Sequence, residues 1–216
     1  MPYAAGDRKE FIDRSGIDPG ARILDFGGVL FEELPSSVAG ITAKKQLSNA
    51  VIIKPALVPF KNDVFDAVVS YHYFDLIPND LIVYVFREAA RVLKRGSNFS
   101  FVVQLWAPQN EAQRSSLFFN ELLKASGALY AHEFTDIIRE LSDSGFCDIT
   151  VETIKRNISI PPDFVKSHLM LLGSLVKKEQ EEGVAGIRTP AKQYFEHVKE
   201  HGEAMLPALH FAAKKI

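Results

Sequence analysis

"ILDFGGVLFEELPSSVAGIT", residues 23–42, is the stretch that decides how this chain is read. Ile23 to Phe26 is a short apolar run carrying one acid, and Gly27-Gly28 stops it, as expected of a buried strand running into a glycine turn. Val29, Phe31 and Pro35 then stand where the strand-to-helix corner of an α/β protein usually has more glycine and a full helix. Only VLFEEL separates Gly28 from Pro35, so the corner leaves little room for that helix.

Upstream, a short helical lead-in ends near Ser15-Gly16. Downstream, SVAGIT and NAVIIKP read as two further strands, with only AKKQLS between them, a short connection for a crossover helix. DVFDAVVSYHYF is an apolar strand, and IPND after it starts a helix, LIVYVFREAARVLKRG, that places Lys94 and Arg95 in its last turn and stops at Gly96. FSFVVQLW reads as strand, NEAQRSSLFFNELLKASG and EFTDIIRELSDSG as helices, and FCDITVETIKRNISI as a long strand before Pro161-Pro162. Two more helices, DFVKSHLMLLGSLVKKEQ and TPAKQYFEHVKEHG, precede a last strand, PALHFAAKK. Strand alternating with helix predicts an α/β fold with a mainly parallel sheet covered on both faces, whose ligands sit at the carboxyl ends of the strands.

Composition agrees with one folded domain over residues 1–216. A chain of this length buries roughly 70% of its unfolded surface, and 47% apolar with 24% charged residues is ordinary for a globular protein. With 25 Lys plus Arg against 27 Asp plus Glu, the net charge of −2 gives no general attraction to nucleic acid or anionic lipid. The N-terminus lacks a signal-peptide core and no apolar run reaches membrane-spanning length, so a cytoplasmic protein is expected. The single cysteine, Cys147, lies in an apolar run and reads as core filler.

Three segments in this order resemble the class I S-adenosylmethionine-dependent methyltransferases, especially the branch with the ubiquinone and menaquinone C-methyltransferases. ILDFGG is similar to the family's first motif, LVPFKNDVFDAVVSYHYFDLIPND to its segment through the fourth strand, and REAARVLKRGSNFSFV to its "ARVLKPGG" segment. The resemblance covers about Asp18 to Ile160 plus the last ten residues or so. It implies a single Rossmann-like domain with a seven-stranded, mainly parallel sheet and an antiparallel last strand. Residues 163–205 become a helical insertion before that strand, read either as a lid over the substrate side or as a packing pair.

By the same resemblance S-adenosylmethionine is the cofactor. Asp25, Gly27, Gly28, Thr42, Leu57 and Ser70 are then the residues that hold it, His72 and Tyr71 those that act on the acceptor, and no metal is involved. The acceptor is a small molecule or a protein partner; nucleic acid and membrane are not expected, and a homo-oligomer stays open. Tyr71 and Tyr73 would point one way and His72 the other; either the aromatic faces stabilise a sulfonium and His72 takes a proton, or these aromatics only fill core around the strand end. Trp106 and Gln104 would either line the same cleft or serve packing alone.

Four positions depart from the family pattern. Val29 and Phe31 replace loop glycines, Thr42 stands where an acid accepts both ribose hydroxyls, and Lys54 stands where an Asp meets the adenine amino group. A hydrogen bond to a charged group contributes roughly 1.5–3 kcal/mol, so two such losses with steric intrusion remove about three decades of affinity or more. The alternative is therefore a catalytically degenerate homologue acting as a binding or regulatory partner.

His197 and His201 in HVKEH lie one turn apart and share a helix face, so both can ligate one Zn²⁺. With Glu196 and Lys199 beside them and no third ligand evident nearby, they read as a solvated helix face.

Overall fold

The corner at residues 23–42 is built from β1 (Ile23–Phe26) and β2 (Val38–Ile41), which run parallel with Asp25 opposite Ala39. The structure is a computed structural model that describes residues 2–18, 20–30, 32–34, 37–41, 50–52, 57–182 and 188–216. Among the described residues no helix separates β1 from β2; one turn, closed by Leu34 N–H to Leu30 O at 2.7 Å, stands in its place. The expected short connection AKKQLS lies outside the described residues.

Along the chain follow α1 (Ala5–Ser15) ahead of β1, then β3 (Ala50–Ile52), β4 (Phe65–Tyr71), α2 (Asn79–Val92) and β5 (Leu93–Gln104). After these come α3 (Glu111–Ala125), α4 (Phe134–Asp143), β6 (Phe146–Ile154), α5 (Pro162–Glu182), α6 (Arg188–His201) and β7 (Ala208–Lys215). The strand order in the sheet is β3-β2-β1-β4-β5-β7-β6. The pairs β3·β2, β2·β1, β1·β4 and β4·β5 are parallel. The last strand, β7, runs antiparallel to β6. Ile216 N–H bonds to Gly145 O at 3.0 Å while Thr150 reaches Ala212 O at 3.4 Å, so one strand rises in number as its neighbour falls.

The chain divides into two compact units. One, formed by Ala5–Val103, His132–Thr153 and Leu209–Ile216, holds most of the sheet with α1, α2 and α4. Its core is aromatic: Phe74 meets Phe101 edge-on at 5.0 Å, Phe101 stacks on Phe211 at 5.0 Å, and Phe99 meets Phe146 at 5.1 Å. Such pairs add about 0.5–1.5 kcal/mol each beyond burial. The other, formed by Met1–Ala4, Gln104–Ala131 and Ile154–Ala208, gathers α3, α5 and α6 around Phe119, Leu122, Leu172, Tyr194 and Val198. No helix among the described residues is long and apolar enough to cross a membrane.

Two sequence expectations change. The helix read through Gly96 ends at Val92, and Leu93 is already extended at φ −71, ψ 144, pairing with Phe65. Lys94 therefore leaves the helix terminus and bonds Asp66 at 2.5 Å, across the irregularity where the register passes from Phe65↔Leu93 to Ala67↔Asn98. Cys147 is exposed, not core, because β6 is the edge strand of the sheet and buries only Phe146 and Ile154.

A buried polar chain crosses the sheet unit. Ser15 Oγ donates to Phe11 O at 2.8 Å, so it accepts from Ser100 Oγ at 2.7 Å, and Ser100 in turn accepts from His210 Nε2 at 2.7 Å. Burial pushes the His210 imidazole below its ordinary value; Glu152 opposes this and Arg14 adds to it. The folded state therefore takes up this proton later than the unfolded chain does. Stability is expected to fall as the pH drops below about 6.5, by at most about 1.4 kcal/mol per pH unit, until the folded value is passed. Urea unfolding at pH 7 and pH 5 on wild type and His210→Gln checks this; an equal pH dependence in both would remove His210 from the account.

Candidate active site

Six of the eight residues assigned from sequence end up at the carboxyl ends of two neighbouring strands. β1 pairs with β4 so that Asp25 faces Val69 and Phe26 faces Ser70, which brings Asp25, Gly27 and Gly28 beside Ser70, Tyr71 and His72. The strand order reverses at β1, the place where open α/β sheets leave a crevice for ligands.

Asp25 is fully buried and its Oδ2 accepts from Leu30 N–H at 2.9 Å, tying the turn back onto its own strand. Gly27 and Gly28 take φ of +94° and +62°, left-handed values that side chains disfavour. Gly27 N–H donates to Gly40 O at 2.7 Å. A Cβ at Gly27 would lie 2.9 Å from Tyr73 Cβ, so the chain's own tyrosine occupies the open side of this glycine.

On β4, Ser70 is buried and its hydroxyl has no hydrogen-bond partner among the described residues. Tyr71 is buried and donates its hydroxyl to Asp7 of α1. His72 leaves the strand at φ +59° and its N–H donates to Val102 O at 3.0 Å. The expected alternation stops there: Tyr71 has Phe11 and Asp7 as neighbours, whereas Tyr73 stacks on Phe26 with ring centroids 6.1 Å apart. His72 Nδ1 lies 2.6 Å from Asp75 Oδ2. Holding Nδ1–H, Asp75 leaves Nε2 as the ring nitrogen with the lone pair.

Leu57 is 59% exposed. The segment after it is clamped to α2: Val58 N–H donates to Glu88 at 2.9 Å, and Arg91 donates to Val58 O at 2.8 Å and Phe60 O at 2.7 Å. Arg91's hydrogen bond holds the Glu88 carboxyl below its ordinary range. Thr42, with Phe31 and Lys54, lies outside the described residues. Gln104 and Trp106 belong to the helical unit, where Gln104 accepts from Asn120 at 2.9 Å and Lys124 lies 5.6 Å over the Trp106 ring.

Sequence reasoning missed three members of this corner. Asp7 holds Tyr71, and Arg8 of the same helix bonds Glu33 at 2.6 Å and Glu32 at 3.4 Å, fastening α1 to the turn after Gly28. Asp75 was readable as the acid three residues after His72 in HYFD; the partners of α1 lie too far along the chain to leave a local signal.

The family model described as "Methyltransferase domain" matches residues 35–101, roughly a third of the chain. A cyclopropane-fatty-acyl-phospholipid synthase-like protein from Lactobacillus casei ATCC 334 superimposes with TM-score 0.68 at 13% identity, over 98% of this chain and 90% of that one. The YcgJ protein from Bacillus subtilis gives 0.62 at 17% identity, over 97% and 98%. The fold is that of a class I methyltransferase. Geranyl diphosphate C-methyltransferase from Streptomyces coelicolor A3(2), in complex with Mg²⁺, geranyl diphosphate and S-adenosyl-L-homocysteine, shares it at TM-score 0.58 and 14% identity, over 98% of this chain and 79% of its own. Among curated proteins no sequence matches the chain significantly.

Proposed function

We propose that this chain is an S-adenosylmethionine-dependent methyltransferase of the branch that resembles the ubiquinone and menaquinone C-methyltransferases, acting on a small-molecule or protein acceptor. The observation that carries the reading is the juxtaposition of the left-handed Gly27-Gly28 turn with Ser70 and the Asp75-held His72 at the switch point of the sheet. The match over residues 35–101 and the product-bound neighbour support it.

The described part of the corner fits the amino-acid end of such a cofactor. Gly28 offers backbone with no side chain, Asp25 holds the turn closed through Leu30, and the Ser70 hydroxyl is a buried group in need of a partner. When bound, S-adenosylmethionine would supply an electrophilic methyl group on a sulfonium. His72 can take the acceptor's proton at Nε2, with Asp75 fixing its tautomer and stabilising the resulting charge. Tyr71, held by Asp7, is a rigid aromatic wall beside it. Alignment in a water-poor corner supplies the remaining catalysis.

A specific observation favours the second reading, a homologue that no longer transfers methyl groups. Tyr73 lies against Gly27, and among the described residues one turn stands between β1 and β2 in place of a helix whose N-terminus would face a carboxylate. Calorimetric titration with S-adenosylmethionine and S-adenosylhomocysteine separates the two. Micromolar binding is expected and removes the degenerate reading; silence at millimolar ligand removes the enzyme, and binding regained by Thr42→Asp with Lys54→Asp would then locate the loss.

A further inference from the structure

The geometry points to a zinc-class divalent metal site in the helical unit, formed by Glu111 of α3 with His197 and His201 of α6. One ligand atom from each of the three lies within 4.8 Å of the other two. The third ligand, absent from the HVKEH pattern, comes from a helix that starts 86 residues earlier than His197.

The hydrogen bonds around His197 call for a cation at this place. Ser115 Oγ donates its one proton to Gly202 O at 2.7 Å, so it accepts from His197 Nδ1–H at 2.9 Å. Gly202 ends α6 at φ +71°, which turns this carbonyl back toward α3. The other nitrogen, Nε2, faces Glu111 Oε2 at 3.1 Å, close to the separation of two ligands on one ion. A proton would serve this pair, but His201 brings a second imidazole to the same place, its ring centroid 4.6 Å from that of His197. A divalent ion satisfies all three donors at once.

Tetrahedral zinc with bonds of about 2.0–2.2 Å keeps its ligands roughly 3.3–3.5 Å apart. The His197–Glu111 pair is close to that separation, and His201, with 32% of its side chain exposed, can rotate the remaining distance. Ser115 is the outer partner that fixes the His197 tautomer, as such sites require. Phe118 packs edge-on against His197 at 5.1 Å and restrains the ring. Two charges modulate the site: Arg114 lies 3.6 Å from Glu111 and competes for it, and Glu200 lies 3.7 Å from His201 and adds negative potential. The donor set, two imidazoles and one carboxylate with an open fourth position, suits Zn²⁺ and its neighbours in the first transition row over Mg²⁺ or Ca²⁺.

The test is titration of untagged protein with Zn²⁺ against a chromophoric chelator, with Co²⁺ substitution read by its visible absorption. One ion per chain is expected, with a tetrahedral Co²⁺ spectrum. Ser115→Ala should weaken binding roughly 10–100-fold, and His201→Ala and Glu111→Gln at least as much. Thermal melting of the metal-free variants verifies folding, since His201 and Glu111 are exposed positions. Zn²⁺ binding that is absent, or unchanged in His201→Ala and Glu111→Gln, overturns the site and leaves a proton-sharing His197–Glu111 pair.

Discussion

Gly27→Ala is expected to destabilise the protein by about 2–5 kcal/mol. An alanine in the left-handed region costs roughly 1–2 kcal/mol, and Gly27 holds φ +94°. The added methyl would also lie 2.9 Å from Tyr73 Cβ and 3.1 Å from its Cδ2, with no flexible side-chain end to give way. Tyr73 is itself held between Phe26 and Phe74, so relief means moving a packed ring, at about 1–3 kcal/mol for overpacking. Gly28→Ala, at φ +62°, is the comparison and should lose about 1–2 kcal/mol for backbone strain. Urea unfolding measures both, and in a Tyr73→Gly background Gly27→Ala should cost less than it does in the wild type. Equal losses for Gly27→Ala and Gly28→Ala would mean that Tyr73 does not restrict position 27.

That contact also bears on what the glycines signify. Gly27 is required by the chain's own tyrosine whether or not a cofactor binds, so a glycine-rich motif read from sequence overstates the case for a ligand at this position. Sequence reasoning found the corner because strand periodicity and turn chemistry are local properties: ILDF buries as a strand, and the Gly-Gly turn follows. It carried Lys94-Arg95-Gly96 too far as helix because those residues look like a helix end, whereas pairing of Leu93 with Phe65 and the Lys94–Asp66 bond decide the matter from another strand. Cys147 was misread for the same reason: an apolar run suggests burial, but β6 lies at the sheet edge, and edge position depends on the strand order as a whole. The site shows the same division. Asp25, Gly27, Gly28, Ser70, Tyr71 and His72 come from two segments recognisable one at a time, whereas Asp7, Arg8 and Glu111 join their partners only through tertiary structure.

Glu203→Ala is expected to cost about 3–5 kcal/mol, with its effect centred in the helical unit. The carboxylate, 3% exposed, accepts from Tyr194 Oη at 2.7 Å, His168 Nδ1 at 3.0 Å and Ser116 Oγ at 3.1 Å. One acid thus gathers donors from α3, α5 and α6. Tyr194 is fully buried, and burial followed by the charge of Glu203 pushes its phenol far up, so it stays a donor at every working pH. Removing the carboxylate strands that hydroxyl and Ser116 away from water, and His168, stacked on Phe119 at 4.2 Å, has little freedom to find another acceptor. Glu203→Gln keeps the shape and one carbonyl acceptor while placing an amide donor opposite other donors, and should lose about 1–2 kcal/mol. Chemical unfolding of the two variants decides between causes. A loss in Glu203→Ala well beyond that in Glu203→Gln assigns the stability to accepted hydrogen bonds. Equal, small losses would show that the three helices are held by their apolar contacts alone, with the Tyr194 hydroxyl and Ser116 finding water in the space left by the side chain.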